Sequence, residues 1–206
     1  MPLGLWGGTV HGIAPTVLGK LRTLLLRAAF PNRYKGVSKT TAIQVHFGRD
    51  ADPGVYIPAQ TVLGIVKHLS ADHPRAWSAR AGKAWGKTAD RTVASNRWSK
   101  VTGPIAACQA YLRDIGWSPN RPSIWHDSAG SAWVLDGTAP LHEAKLALME
   151  EFDSALWKRS SEGHLGSGTE HGLCLDIMRP YHVKLQKSDP RAARDLSRIW
   201  CGGVVV

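Results

Sequence analysis

Apolar and polar residues alternate with a helical period along most of the chain. The first such segment, residues 15–30, has Pro15 at a position suited to a first helical turn, and Pro31 follows its last residue. Its apolar stripe comprises Val17, Leu18, Leu21, Leu24, Leu25 and Ala28, with Lys20, Arg22 and Arg27 off the stripe. The pattern predicts an amphipathic helix whose cations face outward.

The same reasoning predicts further helices downstream. A short helix over 38–48 has Ser38 as its cap and Gly48 at its end, and residues 50–56 read as a turn before the next helix. Trp77, Ala81 and Trp85 lie four residues apart, on one face of a helix, although Gly82 and Gly86 weaken that assignment. The remaining helices are predicted over 58–71, 73–98, 103–117, 140–160, 173–186 and 189–200.

One stretch has a different pattern. Between residues 123 and 136, two short β-rich runs flank Ser128, Ala129 and Gly130, which predicts a hairpin. A Gly/Ser-rich loop covers 160–172. The fold class predicted is therefore mainly α: an irregular array of about seven or eight helices with one β-hairpin near 123–136.

The chain has 206 residues and a formal charge of +10, from 26 Lys and Arg against 16 Asp and Glu. Such a field favours polyanionic partners, of which nucleic acid is the commonest. We predict a basic helical segment over 1–100, and a helix, the hairpin and the C-terminal helices over 101–206. Both ends, "GLWGG" and "IWCGGVVV", read as interior sequence, so we expect a fragment of a longer protein.

Other sequence features restrict compartment and chemistry. The start of the chain has no basic segment followed by an apolar one, and no apolar run approaches the roughly 20 residues of a membrane span. An intracellular location, nuclear or cytoplasmic, is expected. We expect the three cysteines, which are far apart in the sequence, to be small core residues. We expect three histidines to lie on helix surfaces. The cysteines are Cys108, Cys174 and Cys201, and the histidines are His46, His68 and His142.

The best functional patch lies between residues 67 and 100. Eight cations against Asp72 and Asp90 give it a net charge of +6, and three tryptophans are interleaved with them. Cations neutralise phosphates and aromatic faces can stack on bases. The candidate nucleic-acid-binding residues are Lys67, Arg75, Trp77, Arg80, Lys83, Trp85, Lys87, Arg91, Arg97, Trp98 and Lys100. The alternative is a helix whose tryptophans are core residues and whose cations are merely solvated.

No complete active site is readable. Asp127 and Asp136 on the hairpin weakly resemble a ribonuclease H strand, but that chemistry needs three or four converging carboxylates. His164, His171 and Cys174 lack a fourth zinc ligand, and there is neither a nucleophile elbow nor a phosphate-binding loop. We assign no catalytic residue, metal or cofactor.

The opening "GLWGGTVHGIAPTVLGKLRTLLLRAAF" resembles the segment that follows the polymerase palm in non-LTR (LINE-type) retrotransposon reverse transcriptases. There a "YG-x-E-x-W/H-G" phrase precedes an "LRRLR" helix; here residues 6–12 stand in its place, without the Tyr and the Glu. Three later stretches of the chain resemble later parts of the same region, in the same order: "GPIAACQAYLRDIGW", "PSIWHDSAGSAWVLDG" and "LSRIWCGGVVV". The similarity is closest to elements of the dinoflagellate type.

The resemblance implies a thumb-like, non-catalytic segment that grips the template–primer backbone, with the flanking domains of the polyprotein as further partners. The paired catalytic aspartates of the parent RNA-directed DNA polymerase lie upstream in the family, and no such pair occurs here. A decayed copy of such an element is an equally open alternative. So are a helical scaffold subunit with no nucleic-acid role and a small nuclease built on Asp127 and Asp136.

Overall fold

The computed structural model describes residues 8–30, 38–70, 75–135 and 141–200, and within these ranges the chain is mainly helical. The helices are α1 (Gly8–His11), α2 (Pro15–Ala29), α3 (Lys39–Phe47), α4 (Pro53–Ser70), α5 (Arg75–Val93), α6 (Gly103–Asp114), α7 (Leu141–Ser161), α8 (Leu175–Ser188) and α9 (Pro190–Trp200). The strands are β1 (Ser118–Arg121), β2 (Ile124–His126) and β3 (Ala132–Val134). The predicted fold class is confirmed.

Contacts divide the chain into two units that interleave in sequence. The first contains the described parts of Met1–Ala14 and Ile57–Phe152, and the second those of Pro15–Tyr56 and Asp153–Val206. The boundary expected at residue 100 falls inside the first unit, because α5 and α6 on either side of it pack against each other. The division therefore differs from the two sequence halves.

In the first unit, α6 is the central helix. Its residues from Ala106 to Leu112 are all buried, and both α1 and α5 pack against it. The Tyr111 hydroxyl accepts a hydrogen bond from the Ile13 amide and donates one to the Ile13 carbonyl, both at 2.7 Å. This pair of bonds fixes the chain just before α2 begins.

The antiparallel sheet has the order β1-β2-β3, and β2 and β3 form the predicted hairpin. Its turn is closed by the Asp127 carboxylate, which accepts hydrogen bonds from the amides of Ala129 and Ser131. The pairing of β1 with β2 was not predicted, because "SPNR" has no β-branched or aromatic residue. The segment is a strand because it pairs with β2, although its composition does not favour a strand.

In the second unit, α2 buries a face different from the predicted stripe. Leu18, Arg22 and Leu26 point inward, whereas Val17 and Leu24 are 44% and 56% exposed. The cause is an ion pair: Arg22 Nε lies 2.9 Å from Asp52 Oδ1, and its Nη2 donates to Thr40 Oγ1 at 2.8 Å. A paired guanidinium can occupy an interior position that periodicity gives to an apolar residue.

Asp52 also sets the start of α4. Its Oδ1 accepts from the Gly54 amide at 2.9 Å, and Pro53 takes the first helical position. The helix therefore begins five residues before the predicted start at Pro58, and part of the predicted turn is helical. The cap predicted at Ser38 is confirmed, since Ser38 Oγ accepts from the Thr41 amide.

Two of the expected side-chain environments are wrong. Cys108 is buried as expected, but Cys174 is exposed, and Cys201 lies outside the described residues. His46 is half-buried rather than a surface residue. Its ring centroid lies 4.7 Å from that of Phe30 and 5.2 Å from that of His182, whose ring is nearly perpendicular to it. His68 and His142 are exposed.

We expect Asp52→Asn to lower the free energy of unfolding by about 3–5 kcal/mol, because Arg22 would remain buried without a counter-ion while the helix cap is kept. Asp50→Asn is the matched control, since Asp50 makes a loose 3.7 Å pair with Arg49 and is 83% exposed. Asp50→Asn should lower the free energy of unfolding by less than about 1 kcal/mol. Urea unfolding measures both, and equal losses would contradict the structural role of the buried pair.

Stability should also fall as the pH drops from 6.5 towards 4. Burial, together with the neighbouring His182, lowers the pKa of His46 from 6.5 to about 4. Between these two pH values, the His46 imidazole is protonated in the unfolded chain but neutral in the folded chain, so protonation favours unfolding. His46→Gln should flatten the pH dependence of the unfolding midpoint, whereas His142→Gln at an exposed position should leave it unchanged.

Candidate nucleic-acid interface

The outward face of α5 carries a line of cations. Arg80, Lys83, Lys87 and Arg91 are all exposed, and their spacings of three, four and four residues place them on one side of the helix. From the first to the last, the line extends about 16 Å along the helix axis. We call these four residues the α5 stripe.

The opposite face of α5 packs into the first unit. Ala81, Trp85 and Thr92 are buried there, and α6 covers them. This division follows from the sequence, because small and apolar residues recur on one side of the helix while Arg and Lys recur on the other.

A buried amide fixes α5 against α6. Gln109 is fully buried, and its Oε1 accepts from Thr88 Oγ1 at 2.8 Å and Thr92 Oγ1 at 3.2 Å. Its Nε2 donates to the Trp85 carbonyl at 3.0 Å. Gln109 was not among the predicted site residues, although a glutamine beside the apolar stripe of α6 is a signal for such a network.

Arg113 satisfies part of the C-terminal end of α5. It donates to the Ala89 carbonyl at 3.0 Å and to Thr92 Oγ1. Burial and the neighbouring Arg97 lower the pKa of Arg113, while the carboxylate of Asp90 acts in the opposite direction. Asp90 therefore acts on an inward cation as well as lying beside the stripe.

Trp85, expected to stack on bases, is instead a core residue. It is 3% exposed, its indole Nε1 donates to the Pro119 carbonyl at 3.0 Å, and its ring stacks on Trp125 at 6.0 Å. A ring so enclosed offers no face to a nucleobase. For Trp85 the structural alternative, a core tryptophan, is the correct one.

Trp98 and Arg97 are held by one carboxylate. Trp98 Nε1 donates to Asp114 Oδ2 at 2.7 Å, and its ring lies 4.6 Å from that of Tyr111. Arg97 Nη1 donates to Asp114 Oδ1 at 2.9 Å. Neither side chain is as free as the residues of the α5 stripe.

The other candidates divide into two groups. Lys67, in the last turn of α4, and Lys100, after the short 3₁₀ turn Arg97–Ser99, are exposed. Arg75 and Trp77 belong to the backbone of α5, but their side chains lie outside the described part, as does all of Asp72. The structure thus brings four candidates into one stripe.

Within the described residues, no side chain of the α5 stripe forms an ion pair. Ion pairs in that part of the chain join Arg22 to Asp52, Arg49 to Asp50 and Arg97 to Asp114, and none involves the stripe. Four exposed cations without ion pairs in a line form a surface suited to the regularly spaced phosphates of a polyanion.

The alternative chemistries find little support in the described residues. The Asp127 carboxylate accepts hydrogen bonds from the hairpin turn and, at 3.1 Å, from Trp133 Nε1. Asp136 lies outside the described residues. Slight burial raises the pKa of Asp127, but hydrogen bonds from Trp133 and the turn amides outweigh this and lower it overall. Among the described side chains, no group of three His, Cys, Asp or Glu could hold a metal ion.

Comparison with protein-family models, with curated proteins and with solved structures gave no match. Within the described residues, no helix is both long enough and apolar enough to cross a membrane.

We expect Trp85→Ala to lower the free energy of unfolding by about 3–5 kcal/mol, because it opens a cavity beside Trp125 and leaves the Pro119 carbonyl without its donor. Val93→Ala is the control on the same helix, since Val93 is largely exposed, and it should change stability by less than about 1 kcal/mol. Urea unfolding with near-ultraviolet circular dichroism measures both. A Trp85→Ala chain as stable as the wild type would contradict the core assignment.

Proposed function

We propose that the protein is a non-catalytic nucleic-acid-binding segment that contacts the phosphate backbone through the α5 stripe. The observation that carries the proposal is the line of four exposed cations, none in an ion pair among the described residues. Lys67 and Lys100 are exposed cations of the same unit and add to its positive field.

Binding of this kind is independent of base sequence. Trp85 is enclosed, so its ring adds no base stacking. The affinity then comes from counterion release, and log K falls with log salt with a slope of about −0.9 per phosphate contact on duplex DNA. Four contacts give a slope of about −3.6 on a duplex and about −2.8 on a single strand.

The resemblance of the sequence to the post-palm region of LINE-type reverse transcriptases supports the same proposal from a different direction. With it goes the proposal that the segment belongs to a retrotransposon polyprotein and holds template–primer beside the flanking domains. The phosphoryl transfer itself would be performed by those domains.

The test is a triple charge reversal, Arg80→Glu, Lys83→Glu and Lys87→Glu, in the full 206-residue chain. We expect the affinity for a fluorescein-labelled 20-base-pair duplex of random sequence to fall at least about a thousandfold at 50 mM salt, because three phosphate contacts are lost. Fluorescence anisotropy between 50 and 200 mM salt gives both affinity and slope.

The control is Lys184→Glu, Lys187→Glu and Arg191→Glu, which changes the net charge equally at exposed positions on α8 and α9. It should keep most of the affinity and nearly the full slope. An equal loss of affinity in the two variants would show that binding depends on the net charge of the protein and not on the α5 stripe. An unchanged affinity in the stripe variant would refute the interface.

A further inference from the structure

One carboxylate at the end of α6 receives two donors from the turn that follows α5. Asp114 accepts from Arg97 Nη1 at 2.9 Å through Oδ1 and from Trp98 Nε1 at 2.7 Å through Oδ2. The two donors occupy different oxygens, so the carboxylate orients both side chains at once.

The pair lies at the surface rather than in the core. The side chains of Arg97 and Asp114 are 21% and 20% exposed, so an ion in solution can reach the guanidinium. Arg97 Nε also donates to the Ala94 carbonyl at 3.2 Å, just beyond the last residue of α5. The cation is therefore held close to the end of the helix that carries the stripe.

Other cations lie near Arg97. It lies close enough to Arg113 to help lower the pKa of that group, and Lys100 follows in the chain. A cation in such surroundings is a natural phosphate ligand unless a carboxylate neutralises it. Asp114 supplies that neutralisation.

We propose that Asp114 is an internal counter-ion that withholds Arg97 from bound phosphate and so limits the number of cations that the α5 interface offers. The inference rests on the proposed function, and it assigns to the same site a residue that weakens binding. A contact of this kind lowers both the affinity and the salt slope of the proposed binding by the contribution of one phosphate contact.

The number of contacts makes the proposal measurable. Freeing one cation adds one phosphate contact, which steepens the salt slope on a duplex by about 0.9 and tightens binding at 0.1 M salt by up to about eightfold. If removal of the Asp114 charge acted only through the overall electrostatic field of the protein, the gain in affinity would remain when Arg97 is also replaced.

Asp114→Asn removes the negative charge while keeping nearly the same size and shape. The single amide oxygen can accept from only one of the two donors, Arg97 or Trp98. In either orientation of the amide, a carboxylate no longer neutralises Arg97.

The experiment is a cycle of four chains: wild type, Asp114→Asn, Arg97→Gln and the double variant, each bound to the same 20-base-pair duplex between 50 and 200 mM salt. We expect Asp114→Asn to steepen the slope by about 0.9, Arg97→Gln to leave it as in the wild type, and the double variant to lose the gain. Circular dichroism confirms that each chain is folded.

The outcomes are distinct. If wild type shows no salt-dependent binding, both the proposed function and this inference fail. If wild type binds but Asp114→Asn gains nothing, or the double variant keeps the gain, the internal counter-ion alone is refuted. If Asp114→Asn does not fold, Arg97→Gln decides: a slope shallower by about 0.9 shows that Arg97 already contacts phosphate and refutes the inference, whereas an unchanged slope supports it.

Discussion

The buried amide of Gln109 is the interaction on which the arrangement of the first unit depends. From the centre of α6, it forms hydrogen bonds to Trp85, Thr88 and Thr92, which lie along one face of α5 over about two turns. An amide buried without partners costs several times what a single hydrogen bond contributes, so only the helix register that satisfies both ends of Gln109 is stable. With that register fixed, Trp85 must point inward and the stripe must point outward.

Much of the helical fold was predictable because helix ends are set by local chemistry. Ser38 and Gly48 bracket α3 as expected, and α2, α5, α6, α7, α8 and α9 lie where the periodicity places them. The phase of α2 was not predictable, because burying Arg22 depends on Asp52, thirty residues away. Strand β1 was not predictable for another reason: the composition of "SPNR" does not favour a strand, and the segment becomes one by pairing with β2.

The candidate interface was predictable in part. Once one face of α5 is known to be buried, the helical period places Arg80, Lys83, Lys87 and Arg91 together on the other side. The tryptophans could not be assigned from spacing, because Trp at helical intervals suits both a core and a stacking surface. The pairing of Arg97 with Asp114 spans seventeen residues and the connection between two helices, so no local pattern indicates it.

The net charge of the chain and the number of its cations that can contact phosphate are different quantities, and composition gives only the first. The chain carries a formal charge of +10, but some of its cations have structural partners: Arg22 is paired with Asp52, Arg97 with Asp114, and Arg113 with the end of α5. A counterion-release interaction depends on the cations that remain able to meet phosphates, not on the total. The strength of the proposed interface is therefore set by which carboxylates and carbonyls the fold places beside its arginines. In the α5 stripe, the fold places four exposed cations on one helix face with no carboxylate within ion-pair distance among the described residues.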